Sequence, residues 1–176
     1  MENQDIIVER AKKIKLLLLD VDGVLTDGRI IYDSRGADLK FFDVCDGLGI
    51  NLLKKIGIPT ILISAKSSKT IKHRAKDMPV EAIFENASPK VNIYKKILHK
   101  YKLNNEEVCF VGDDLVDLAI MRQVGLAVAV RNAAEDVKNI SHYVTQNYGG
   151  RGAVREVAEL IIKAQNKWEN LILGYF

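Results

Sequence analysis

Apolar and polar positions along this chain fall into two alternating patterns. Short unbroken apolar runs, such as Leu16 through Leu19 and Val108 through Val111, each stop at a polar residue or a glycine. Between them lie longer stretches with apolar residues three or four positions apart, as at Leu48, Leu52, Leu53 and Ile56. A continuous run of four to six apolar residues fits a strand covered on both faces, and the longer period fits an amphipathic helix. The pattern predicts strands over 14–20, 59–63, 82–84, 108–111, 126–130 and 143–145. It predicts helices from Asp46-Gly47 to Gly57 and over 67–78, 88–101, 115–124, 134–140 and 153–168, with a short one within 1–13. Strands alternating with helices imply βαβ units, hence a doubly wound, Rossmann-like parallel α/β sheet. One interruption stands out. Segments 29–32 and 38–42 flank the turn signal Asp33-Ser34-Arg35-Gly36, which reads as a β-hairpin at about 29–42, inserted straight after the first strand.

Length and composition narrow the picture. A chain of 176 residues fits one domain, 1–176, and 48% hydrophobic with 28% charged residues is ordinary for a globular protein. The 26 basic and 23 acidic residues are scattered, so nothing resembles a nucleic-acid stripe with stacking aromatics. Cys45 and Cys109 stand apart without CxxC spacing, and Met1 to Lys13 lack the apolar core of a leader, which points to a reducing cytoplasm. No run approaches the length of a membrane helix.

The chemistry concentrates at strand ends. Ligands bind at the carboxyl ends of strands in open parallel sheets. Asp20 and Asp22 follow the first strand, Ser64 the second, Lys90 the third, and Asp113, Asp114 and Asp117 the fourth. Turn formation and helix capping offer a plain alternative for each aspartate. Taken together, however, several crowded carboxylates repel one another unless a cation sits among them, and oxygen-only ligands favour Mg²⁺. Asp20 is then the candidate nucleophile towards a phosphoryl group, and Asp22 the acid that protonates the leaving alkoxide and later activates water. Asp113 supplies a further metal carboxylate, and Asp114 or Asp117 orients it or a bound water. Ser64 and Lys90 hold the phosphoryl oxygens. Ser88 reads as a helix N-cap with Pro89 first in the helix, which puts Lys90 in the first turn against the helix dipole, at a cost of ~0.3–1 kcal/mol.

These residues resemble the haloacid dehalogenase-like phosphatases. The words that carry the resemblance are Asp20-Val21-Asp22-Gly23-Val24-Leu25-Thr26-Asp27-Gly28, DGLGI at 46–50, GDDLVD at 112–117, AVAVRNA at 127–133 and GGRGAVREV at 149–157. The resemblance spans about 14–162 and is closest to a small branch without a cap domain. It implies a Mg²⁺-dependent hydrolase acting through an aspartyl-phosphate, with Asp20, the Asp22 backbone carbonyl and Asp113 on the metal. The substrate it implies is an eight-carbon ulosonate 8-phosphate of lipopolysaccharide inner-core sugar synthesis, or alternatively a nine-carbon relative. It also implies a homotetramer in which hairpins of four subunits pair, with Lys66 as a substrate-binding residue and Arg74 reaching an adjacent subunit's site.

Two departures bear on specificity. The family reads S/T-G-R after the second strand where this chain has Ser64-Ala65-Lys66, and a lysine lacks the bidentate fork of an arginine. It tends to carry Gln-Gly where this chain has Glu85-Asn86, and both differences are expected to fall where substrate is selected. Two non-hydrolytic alternatives remain: a phosphate-accepting receiver-like domain, which does not need Asp22, and a catalytically silent scaffold. His73, His99 and His142 are isolated and have no ligand spacing.

Overall fold

A computed structural model describes residues 2–175. Helix α1 (Glu2–Lys12) leads into strand β1 (Leu16–Leu19), which is buried at every position because the sheet covers it on both edges and helices cover both faces. Further strands β4 (Thr60–Ile63), β5 (Ala82–Phe84), β6 (Val108–Gly112), β7 (Leu126–Ala129) and β8 (Tyr143–Val144) join it. The six-stranded order is β5-β4-β1-β6-β7-β8, with every pairing parallel. Leu17 lies opposite Thr60 on one side and Cys109 on the other, so β1 is central. Strands run outward from it in both directions, and the crevice where the direction reverses opens at the end of β1.

The helices form two groups. Helix α2 (Val44–Lys55) packs on α7 (Ala153–Ala164), which also meets α1; α4 (Lys90–Tyr101), α5 (Leu118–Met121) and α6 (Glu135–Ile140) form the second group. Helix α3 (Lys69–Asp77) follows β4, and α8 (Trp168–Ile172) follows α7 and runs into a 3₁₀ turn, Leu173–Tyr175. Among the described residues no helix is long and apolar enough to cross a membrane.

Several elements differ from the pattern in the sequence, each for a local reason. Asp46 does not open α2. Asp43 caps that helix through Cys45 N–H, and the buried Asp46 carboxylate instead accepts from Arg155 N–H (2.9 Å) and Gly152 N–H (3.3 Å), capping α7 from outside. The helix expected over 115–124 is a 3₁₀ turn, Leu115–Asp117, followed by the short α5, because Asp117 turns back to the amides before it. The last helix breaks after Ala164 at Asn166, whose φ of 55° is left-handed. Helix α4 starts at Lys90, with extended Pro89 as its N-cap, and Ser88 makes no side-chain cap. Between β1 and α2 the chain forms a two-rung antiparallel pair, β2 (Ile31–Tyr32) and β3 (Asp38–Leu39), so most of 29–42 is irregular. Met1 and Phe176, within the expected first helix and the apolar tail, lie outside the described residues.

Candidate active site

The backbone after β1 is a tight loop built on two acceptors. Val21 C=O accepts from the amides of Val24, Leu25 and Thr26, while Thr26 Oγ1 accepts from Gly23 N–H (3.2 Å) and Gly28 N–H (3.3 Å). Gly23 sits at φ 94°, and a Cβ there would overlap the Asp113 carboxylate, so both conformation and close approach require glycine. This loop holds Asp20 at the mouth of β1 with Asp113 beside it.

Asp20, Asp113 and Asp117 each offer a carboxylate oxygen within 4.8 Å of the others. Asp20 and Asp117 are almost fully buried, and Asp113 is half-buried. Lys90 lies among them, its Nζ 2.7 Å from Asp20 Oδ1 and 2.7 Å from Asp117 Oδ1. Asp117 Oδ2 accepts from Asp113 N–H (3.0 Å), so Asp117 ties the first residue of α4 to the turn after β6. Of the two candidates for orienting Asp113, only Asp117 reaches it. Asp114 is exposed and its carboxylate accepts from its neighbour Leu115 N–H, because it caps the 3₁₀ turn.

The electrostatics of the cluster are strained. Burial, then the charge of Asp117, pushes Asp20 up to about 6 against the pull of Lys90. Burial, then the charges of Asp20 and Asp117, pushes Asp113 up to about 8. Burial works against the Lys90 ammonium, but Asp20 and Asp117 outweigh it and lift its pKa above the ordinary value. Three acidic groups thus face one cation, and they bring oxygen donors only. That donor set fits a hard divalent ion such as Mg²⁺, which the Asp20 and Asp113 carboxylates are placed to hold.

A pH dependence follows. Asp20 and Asp113 have raised pKa values in the folded protein, so the stability they contribute is full below about pH 4 and is lost as pH rises through 6 and then 8. A divalent ion displaces the retained proton. Its affinity is therefore expected to rise about tenfold per pH unit between pH 6 and 8, and the melting-point gain on adding Mg²⁺ to be larger at pH 8 than at pH 5.5. Calorimetric titration and thermal melts at the two pH values check this; pH-independent affinity would contradict it.

The remaining expected residues divide. Ser64 is buried at the end of β4, where its backbone N–H donates to Phe84 C=O and its Oγ accepts from Lys66 N–H (3.2 Å), leaving the hydroxyl proton to donate. Asp22 lies apart from the three-carboxylate cluster, and Lys40 Nζ sits 2.6 Å from its Oδ1. Asp22, Lys40 and the exposed Lys66 border one cavity of about 550 Å³. Arg74 is not brought to this site. It donates to Asp43 C=O (3.1 Å) and lies over the Phe42 ring, in a separate groove with Val44, Gly47 and Leu48.

Glu85, the first residue of the Glu85-Asn86 difference, is engaged within the chain. Glu85 meets Lys72 (2.8 Å) and accepts from Ser67 Oγ and Ser68 N–H (3.0 Å each), bracing the loop that carries Lys66. Asn86 occupies a left-handed φ of 51°, a conformation that asparagine tolerates better than most residues. Sequence reasoning missed Lys40, because a lysine just after a two-residue hairpin strand carries no signal until the fold lays it beside Asp22.

The chain matches known proteins over nearly its whole length. The haloacid dehalogenase-like hydrolase family profile matches residues 51–157. The 3-deoxy-D-manno-octulosonate 8-phosphate phosphatase of Yersinia pestis is 41% identical over 165 residues, 94% of this chain and 88% of that protein. A Legionella pneumophila structure described as a putative HAD-superfamily subfamily III A hydrolase superimposes with a TM-score of 0.96 at 41% identity, covering 99% of this chain and 96% of that one. The Moraxella catarrhalis 3-deoxy-D-manno-octulosonate 8-phosphate phosphatase, solved with a magnesium ion, a phosphate ion and a KDO molecule, gives 0.94 at 40% identity, covering 97% of this chain and 98% of that one.

Proposed function

This chain belongs to the haloacid dehalogenase-like hydrolases and is a Mg²⁺-dependent phosphomonoesterase, and from that premise we propose that it releases phosphate from 3-deoxy-D-manno-octulosonate 8-phosphate. The observation that carries the proposal is the meeting of Asp20, Asp113, Asp117 and Lys90 at the end of β1.

Asp20 attacks phosphorus, forming an aspartyl-phosphate as the bond to the sugar oxygen breaks, and Asp22 gives that oxygen its proton. Asp22 then takes a proton from water, whose oxygen attacks the same phosphorus and frees Asp20 and inorganic phosphate. Ser64 and Lys90 hold the phosphoryl oxygens, supplying a hydroxyl donor and a positive charge where negative charge builds. Asp20, Asp113 and the Asp22 backbone carbonyl would hold Mg²⁺, which would supply positive charge against the carboxylates and the phosphoryl group. Lys66, at the cavity beside Asp22, is assigned to the sugar acid.

Around that site, the proposal takes 1–176 as one phosphatase domain, because one buried cluster runs from Ala11 to Ala164. It places the protein in the cytoplasm, where the unpaired Cys45 and Cys109 stay reduced. It makes the protein a homotetramer, supported by exposed Tyr32, Phe41 and Val44 at 65–78%, with Arg74 serving a neighbouring subunit.

The test is phosphate release from the eight-carbon ester with Mg²⁺ and with EDTA, against a nine-carbon ulosonate phosphate that the Lys66 difference keeps in play. Preference for the eight-carbon ester in kcat/KM, lost with EDTA, is expected. Preference for the nine-carbon ester would reassign the sugar, and turnover of no ester would end the hydrolase reading.

A further inference from the structure

We infer that Lys40 is a positioning residue for Asp22, holding the proton-transferring carboxylate from outside the sheet; the inference rests on the phosphatase reading above. Lys40 follows β3 in an exposed hairpin, yet its side chain is only 6% exposed. Lysines in such places ordinarily carry their ammonium out to water. This one turns inward, with Nζ 2.6 Å from Asp22 Oδ1 and 3.7 Å from Asp38 Oδ2. Asp38 is fixed in turn, since Ser68 Oγ donates to its Oδ2 (2.7 Å) and Thr70 Oγ1 donates to its carbonyl (3.0 Å). A continuous set of polar contacts thus runs from the start of α3 through Asp38 and Lys40 to Asp22.

Asp22 needs an outside hold. It is not in the Asp20, Asp113 and Asp117 cluster, its side chain is 34% exposed, and it borders a wide cavity. Among the described residues, Lys40 is the one group hydrogen-bonded to its carboxylate. A proton donor must lie within hydrogen-bond reach of the leaving oxygen, and a displacement of about 1 Å can cost about 10² in rate. Lys66 and Lys69 line the same cavity and make no ion pair among the described residues, so they, rather than the doubly engaged Lys40, are the cations left for an anionic substrate.

The test reads Lys40→Met on monoesters that share no sugar: 4-nitrophenyl, phenyl and a simple alkyl phosphate. Formation of the phosphorylated enzyme is followed by rapid quench at saturating ester and Mg²⁺. Alkoxide departure needs a proton most and nitrophenolate departure least. The single-turnover rate is therefore expected to fall about 10²-fold for the alkyl ester and under about threefold for the 4-nitrophenyl ester. The half-saturating concentration should hardly move, Lys40→Arg should recover most of the loss, and Lys40→Met should cost nothing further in an Asp22→Asn background. A loss equal across the series, a change confined to half-saturation, or an additive loss in the Asp22→Asn background would overturn the assignment. If Lys40→Met does not fold, Lys40→Gln in the same series decides with the same outcomes. A wild-type protein inactive on every ester would sink the phosphatase reading, whereas an active wild type with unaltered Lys40 variants would sink only the role of Lys40.

Discussion

Asp20→Asn is expected to leave less than about one part in 10³ of the phosphatase activity while making the metal-free protein more resistant to heat at pH 8. The loss follows from chemistry, since an amide oxygen does not form the aspartyl-phosphate. The gain follows from electrostatics. Burial and the charge of Asp117 push the Asp20 carboxyl up to about 6, so at pH 8 the folded protein carries its negative charge at a net cost. Asparagine keeps the shape, and its carbonyl oxygen still accepts from Lys90, which lies 2.7 Å from Oδ1 in the wild type. Asp113, raised in part by the charge of Asp20, is relieved as well. With excess Mg²⁺ the order should reverse, because the wild type keeps both carboxylates for the ion. Phosphate release and thermal melts with Mg²⁺ and with EDTA check both halves. Retained turnover would remove Asp20 as nucleophile, and an EDTA-treated variant less stable than the wild type would show that Asp20 is anchored by more than its repulsions suggest.

What was readable in the sequence is what depends on local pattern. Four consecutive leucines ending at Asp20 specify both the buried strand and the position of the carboxylate, because an apolar run covered on both faces can end only where the sheet does. Ser64 and Asp113 follow by the same rule after β4 and β6. What was not readable depends on contacts made across the chain. Asp46 looks like the opening of its own helix, yet it caps α7, more than a hundred residues on. Asp114 and Asp117 are equivalent as letters, and only the 3₁₀ turn decides which faces inward. Glu85 is read from the sequence only as a departure from the family, and its contacts with Lys72, Ser67 and Ser68 become visible only in the fold. The hairpin was visible as a turn signal flanked by apolar residues, but its pairing, from Ile31 opposite Leu39 to Tyr32 opposite Asp38, is too short for alternation to show where Lys40 would go.

Lys90→Met is expected to be the most destabilising single change at the site and to abolish most activity besides. Lys90 shares one stripe of α4 with buried Tyr94 and Ile97, which is why a charged residue at the start of this helix is drawn under the sheet edge. Its side chain is 2% exposed and bridges Asp20 and Asp117, the second of which is fully buried. Methionine fills the volume but leaves two carboxylates without their cation. Removing one partner from a buried ion pair costs about 3–5 kcal/mol, because the charge left behind is uncompensated. For a chain of this length that is a fall in melting temperature of roughly 10 °C. The acidic groups can lessen the cost by taking up protons, so the deficit should shrink as pH falls towards 5, whereas loss of apolar packing would cost the same at every pH. Addition of Mg²⁺ should recover part of the stability by supplying the missing positive charge, yet recover little turnover, since the phosphoryl oxygens still lack their ammonium. Melts at pH 5 and 8 with and without Mg²⁺, beside kcat on the same samples, separate these effects. A deficit of equal size at both pH values would show that Lys90 serves α4 as packing and not the cluster as counter-charge.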